Sequence, residues 1–148
     1  MIKFKDASKR LNEEWKGVRT TAYGERLRED LKEAALDMAL WASTKHGVDL
    51  VVTCITATPE EDVALKRQST THSGANRELD AGEGCRAVDV RAKDITPELR
   101  ERIAAEANEA GHTGGEMPFC VLHGEGDGVH FHFQCARGTK LQKVERRA

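Results

Sequence analysis

The sequence has no apolar run long enough to span a bilayer, and its opening residues, Met1-Ile-Lys-Phe-Lys-Asp, have no apolar segment of the kind an export signal needs. The expectation is a chain that is cytoplasmic as synthesised. It also lacks an excess of either charge: 23 Lys and Arg stand against 25 Asp and Glu, a net charge of −2 with a pI near 6.3. Such a balance creates no field that would gather nucleic acid or an anionic membrane, and neither is expected as a partner. Aromatic residues are scarce, at 5%. Even so, 148 residues with 39% hydrophobic content are enough to bury the core of one domain. No Cys-x-x-Cys pair occurs among Cys54, Cys85, Cys120 and Cys135. A chain of this size needs no disulfide frame, so reduced, mostly buried thiols are expected. No internal repeat or composition break divides the chain, which reads as a single domain over 1–148. Residues 1–23 look like a polar N-terminal extension anchored by Trp15 and Tyr23, and 137–148 like a solvated basic tail.

What is present is a succession of well-punctuated elements. Leu27, Leu31, Ala34, Ala35, Met38, Trp41 and Ala42 recur at spacings of three and four, which predicts a helix from Glu25 to Lys45 ended by Gly47. The β-branched run from Val48 to Thr56 reads as an interior strand. Thr58, Pro59 and Glu61 form a cap, first-turn proline and capping-box acid for a short helix. Residues 69–85 hold three glycines and no clear period, so they read as a long loop of the functional kind. Arg86–Arg91 is a short strand, and Thr96-Pro97 opens a second long helix with a stripe of Leu99, Ile103, Ala104 and Ala107 that Gly111 closes. After a turn at 112–116, Pro118–His123 and Val129–Cys135 read as a hairpin joined by the glycine-rich residues 124–128.

The last strand carries the chemistry. Side chains alternate along a strand, so His130 and His132 share one face while Phe131 and Phe133 share the other. Two imidazoles on one face form part of a metal ligand set, and His72 in the long loop and Asp89 on the next strand can complete it. His123, Glu125 and Asp127 are further donors close by in sequence.

Ser69-Thr-Thr-His72, then Arg86-Ala-Val-Asp89-Val, then His130-Phe-His132-Phe-Gln resembles the zinc peptidases that cut cell-wall peptides containing D-amino acids. These are the D-Ala-D-Ala carboxypeptidases and dipeptidases, the phage L-alanyl–D-glutamate endolysin peptidases and the penicillin-insensitive murein endopeptidases; the hedgehog signalling domain shares their fold. The resemblance covers about residues 48–135. It implies an α+β fold with a small antiparallel sheet of about four strands and helices packed on it. It implies Zn²⁺ held by His72, Asp89 and His132, with His130 facing the reacting carbonyl and Asp127, or Glu125 behind it, as general base. An alternative alignment makes His130 the third ligand. Fe²⁺ or Mn²⁺ would use the same donors. The family's arginine for the substrate carboxylate has no counterpart after the first strand, and Arg67 is the candidate to replace it. The His72–Asp89 interval is longer than the family's, so this loop carries an insertion.

The function implied is hydrolysis of an amide bond in peptidoglycan-type peptides, acting on the wall after release and fitting a phage or prophage origin. Two other readings are a non-catalytic zinc-binding domain of the same fold, serving as a binding or virion accessory protein, and a metal-free α+β domain.

Overall fold

The computed structural model describes residues 2–112 and 117–143, and its chain begins inside the sheet. Lys3–Phe4 (β1) is an edge strand, and Lys9–Trp15 (α1) follows after a tight turn in which Asp6 and Ala7 both take φ 51°. Ser8 caps α1 by accepting from the Leu11 N–H. Trp15 packs edge-on against Phe4, with ring centroids 6.0 Å apart, and Leu11 and Glu14 are buried. The residues expected to form an extension are therefore an integral edge of the structure. Trp15 anchors them. Tyr23 is instead exposed, beneath the Arg77 guanidinium.

Glu29–His46 (α2) buries Leu31, Ala34, Ala35, Met38, Ala39 and Ala42, and Gly47 ends it at φ 67°. It starts four residues later than its stripe suggests, because the preceding backbone is recruited elsewhere. Cys85 N–H donates to the Arg26 carbonyl at 2.9 Å and Arg28 N–H to the Cys85 carbonyl at 3.1 Å, and Leu27 is buried between them. Val51–Cys54 (β2) leads into Pro59–Ala64 (α3), whose capping box between Thr58 and Glu61 forms as expected. The long loop contains a single helical turn, Arg77–Asp80 (α4), before Ala87–Arg91 (β3). Pro97–Ala110 (α5) ends without a left-handed cap. Gly111 is extended and opens Gly111–His112 (β4), where a Cβ would come within 3.0 Å of Phe119. Cys120–His123 (β5), His130–Gln134 (β6) and Gln142–Lys143 (β7) complete the chain. Residues 113–116 of the expected turn and 144–148 of the tail lie outside the described residues.

The main sheet has five strands in the order β1-β2-β3-β6-β5 and is mixed, in place of the four-stranded antiparallel sheet expected. β1 runs parallel to β2 because α1 and α2 lie between them and supply the crossover that a parallel pair requires. The other pairs are antiparallel, and β4 pairs separately with β7. Phe131 and Phe133 are fully buried with Val88, Val90, Leu31 and Ile103, each ring contributing on the order of 2–3 kcal/mol through removal from water. This core face holds the strands in register, so the opposite face presents Asp89, His130 and His132 together.

Residues 137–140 of the tail are exposed, as expected, but the segment is pinned at Leu141 and through its backbone. Leu141 is buried with its N–H on Asp30 Oδ2 at 2.8 Å, and Arg28 donates to the carbonyls of Ala136 and Thr139. Among the described residues no helix is long and apolar enough to cross a membrane.

Candidate metal centre

Three separate elements bring the donors together, and each is fixed by its own backbone contacts. His72 comes from the long loop, yet it is buried. The Ala57 N–H donates to its carbonyl at 3.3 Å, and the Arg86 N–H to that of Thr71 at 2.8 Å. The loop before β3 is tied down through Asp80. Its Oδ1 accepts from Arg86 Nη2 at 3.1 Å and Arg137 Nε at 2.7 Å, and its Oδ2 from Asn76 N–H at 3.2 Å and from the Thr70 hydroxyl. Burial alone would raise the Asp80 carboxyl, but these bonds outweigh it and hold it below the ordinary carboxylate range. Ser73, next to His72, bonds Asp62. The loop is a scaffold built into the core's edge.

Asp89 and His132 face each other across the β3–β6 ladder, where they are register partners. His132 Nδ1 lies 2.8 Å from Asp89 Oδ1, and His72 Nε2 lies 3.1 Å from the same oxygen. The surroundings fix both tautomers. Gln134 donates its amide nitrogen to the Pro118 carbonyl at 2.9 Å, which turns its oxygen toward His132 Nε2 at 3.1 Å. An amide oxygen only accepts, so His132 Nε2 carries the proton and Nδ1 the lone pair. By the same logic His72 Nδ1 donates to the Ile55 carbonyl at 2.6 Å and leaves its lone pair on Nε2. Two imidazole lone pairs thus converge on one carboxylate oxygen. A carboxylate oxygen also only accepts, so the arrangement requires either a proton on each of these nitrogens or a metal cation between them.

Without metal, protons on the facing nitrogens fill that need. Burial would lower the basicity of His72, but the Asp89 charge overrides it and raises the imidazole well above its ordinary value. Burial would likewise raise Asp89, and the His72 and His132 rings instead hold it well below the usual range. A divalent cation does the same work with both rings neutral, each keeping only the proton on its far nitrogen, and ligating histidines held by acceptors on their far nitrogens are the usual form of such a centre.

Cys54, His72 and Asp89 offer donor atoms that all lie within 4.8 Å of one another, so this group can hold a metal ion. Cys54 Sγ is 3.7 Å from His72 Nδ1 and accepts from Arg67 Nη2 at 3.3 Å. Arg67 also reaches Asp62 Oδ1 at 3.3 Å and Asp89 Oδ2 at 3.8 Å, which places it at the edge of the donor set. His130 donates from Nδ1 to the Gly128 carbonyl at 2.9 Å and turns Nε2 toward Asp89 Oδ2 at 3.8 Å. It is both farther from the carboxylate and more exposed than His132, at 26% against 6% for the side chain.

His72, Asp89, Arg67, His130 and His132 line a cleft of ≈ 670 Å³ that also includes Ser69, His123 and Gly124, whereas Cys54 lines a neighbouring pocket that shares Arg67 with it. The first five are all brought together in the cleft. Asp127 and Glu125 are not: both are exposed on the β5–β6 connection and lie outside the cleft lining. The imidazole of His123 occupies that side, stacked on His132 with ring centroids 5.1 Å apart. Burial first, and the neighbouring imidazoles second, lower its basicity and keep it neutral.

Two members of the set escaped the reading of the sequence. Cys54 reaches it through a register shift between Val52 and Cys54 that pairs Cys54 with Asp89. Gln134 was visible in principle, as the next residue after His132 on the same strand face. Compared with protein-family models, with curated proteins and with solved structures, the chain matches none.

Proposed function

We propose that this chain is a zinc-dependent hydrolase of amide bonds in peptidoglycan-type peptides containing D-amino acids, built on the fold shared by the hedgehog domain and the D-Ala-D-Ala peptidases. One observation carries the reading: the lone pairs of His72 and His132 meet at Asp89 on the floor of an open cleft, each ring oriented by an acceptor behind it. Two imidazoles and a carboxylate are the donor chemistry of a hydrolytic zinc site. Zinc held there would polarise the scissile carbonyl and activate water.

The chain's own residues supply the rest. Arg67, anchored by Asp62, offers a cation at the cleft for a substrate carboxylate. His130 presents Nε2 to the cleft beside the reacting position, suited to a developing oxyanion when protonated. Proton transfer falls to the imidazoles lining the cleft, His130 and His123, in preference to the outlying Asp127.

The non-catalytic reading has one observation of its own: among the described residues lining this cleft, Asp89 is the sole carboxylate. The deciding experiment is metal analysis of the purified protein by mass spectrometry, followed by digestion of D-amino-acid peptides. Stoichiometric zinc lost in His72→Ala, together with peptide cleavage, supports the hydrolase. Zinc without cleavage of any such peptide favours the binding domain. No metal in either protein removes both.

A further inference from the structure

Cys54 stands beside the proposed centre in a way the three-donor site does not need. The β2 register shift places it opposite Asp89 at the end of the strand, on the side of a pocket that shares Arg67 with the cleft. Its sulfur touches His72 Nδ1 at 3.7 Å and accepts from Arg67 Nη2 at 3.3 Å, and its donor atom lies within 4.8 Å of those of both His72 and Asp89. Zinc–thiolate bonds of about 2.3 Å and zinc–nitrogen or zinc–oxygen bonds of about 2.0–2.2 Å bring donor atoms on one ion to such separations. The other three cysteines are buried in the core, and burial pushes the thiols of Cys120 and Cys135 up to about 12. Of the four, only Cys54 is partly exposed.

We infer that Cys54 is an exchangeable ligand of the metal, closing the site when bound and opening it when held by Arg67. The inference rests on the reading of His72, Asp89 and His132 as a metal centre. With a metal held there, Cys54 would ligate it as the thiolate, giving its Sγ–H proton to solvent and displacing a solvent ligand. No electrons are transferred. A site closed by four protein ligands is of the structural type, whereas three ligands with an open position make the hydrolytic type. Cys54 therefore sets which of the two the centre is, and Arg67 holds the sulfur in the open form. Arg67 acts on both the cysteine and the cleft, so a carboxylate drawing it toward substrate would release the thiol. That couples occupancy of the cleft to the state of the metal.

The test uses cobalt(II), which reports sulfur ligation directly through a near-ultraviolet thiolate-to-metal charge-transfer band. The full chain is loaded with cobalt as wild type, Cys54→Ser, Cys54→Ala and His72→Ala, with circular dichroism as a check on folding. The expected result is a band in the wild type that disappears in both Cys54 variants while their cobalt content is unchanged. Iodoacetamide labelling mapped by mass spectrometry should fall at Cys54 and should be suppressed by zinc. Stoichiometric cobalt with no charge-transfer band in the wild type overturns the role of Cys54 and leaves the metal centre standing. A band that persists in Cys54→Ser overturns it as well. If the wild type binds neither cobalt nor zinc, the centre itself fails and the inference with it.

Discussion

Gln134→Leu tests whether the tautomer of His132 is held from behind. In the structure Gln134 is 8% exposed, donates to the Pro118 carbonyl at 2.9 Å and accepts from His132 Nε2 at 3.1 Å. Leucine keeps the bulk and removes the acceptor. The His132 ring is 6% exposed and has little access to water, so its N–H is left unpaired, at a cost of about 1–3 kcal/mol to the folded state. The ring can recover a partner only by turning or by moving its proton to Nδ1, and either takes the lone pair away from Asp89. Losing a supporting hydrogen bond of this kind lowers metal affinity about 10–100-fold, or about 1.4–2.7 kcal/mol. Competition against a chromophoric chelator gives the affinity, and urea denaturation of the metal-free chain gives the stability. Gln134→Glu retains an acceptor and should bind zinc more tightly than the leucine variant. A leucine variant that binds zinc within about twofold of wild type would refute the argument, because His132 would then not depend on its support.

Two other perturbations probe the frame around the site. Asp80→Ala strands the buried Arg86 guanidinium and should cost about 3–5 kcal/mol in urea denaturation. Arg137→Ala removes only the 37% exposed partner and should cost about 1 kcal/mol or less; equal losses would contradict this account. The hydrogen bond from Arg10 holds the Glu61 carboxyl down to about 2 from an ordinary 4.5. A depressed carboxyl stabilises the fold above its unfolded value and loses that contribution as pH falls through its folded value. Glu61→Gln should therefore flatten the acid side of the stability curve between pH 4.5 and about 2, and an unchanged slope there would show the pair to be inert.

Local chemistry was the legible part of the sequence. The capping box at Thr58 and Glu61, the stop at Gly47 and the alternation around His130 and His132 each depend on neighbours within a few residues, and each took its expected form. What depended on distant partners was hidden. Lys3 and Phe4 make no strand pattern of their own and become one only by pairing with Val51 and Val52. Leu27 keeps the helical spacing of α2, but the Cys85 backbone takes its segment out of the helix. Leu141 sits in a basic stretch that reads as solvated until the Asp30 carboxylate receives its N–H. The candidate site divides in the same way. Histidines and an aspartate announce themselves by type, whereas the closeness of Cys54 and the remoteness of Asp127 follow from a register shift and from the course of a turn.

The placement of β6 has a consequence for synthesis. This strand lies between β3 and β5 near the centre of the sheet, yet it comes after four of the sheet's five strands in sequence. Until His132 leaves the ribosome, Asp89 has no partner across the ladder, and until Arg137 follows, Asp80 lacks one of the two cations that fasten the loop bearing His72. A nascent chain would therefore leave the β6-facing edges of β3, and briefly of β5, unpaired until β6 is made, and with them Val88, Val90 and Cys120. The donors would assemble only once β6 has been made, so a metal held by them would enter a nearly finished fold.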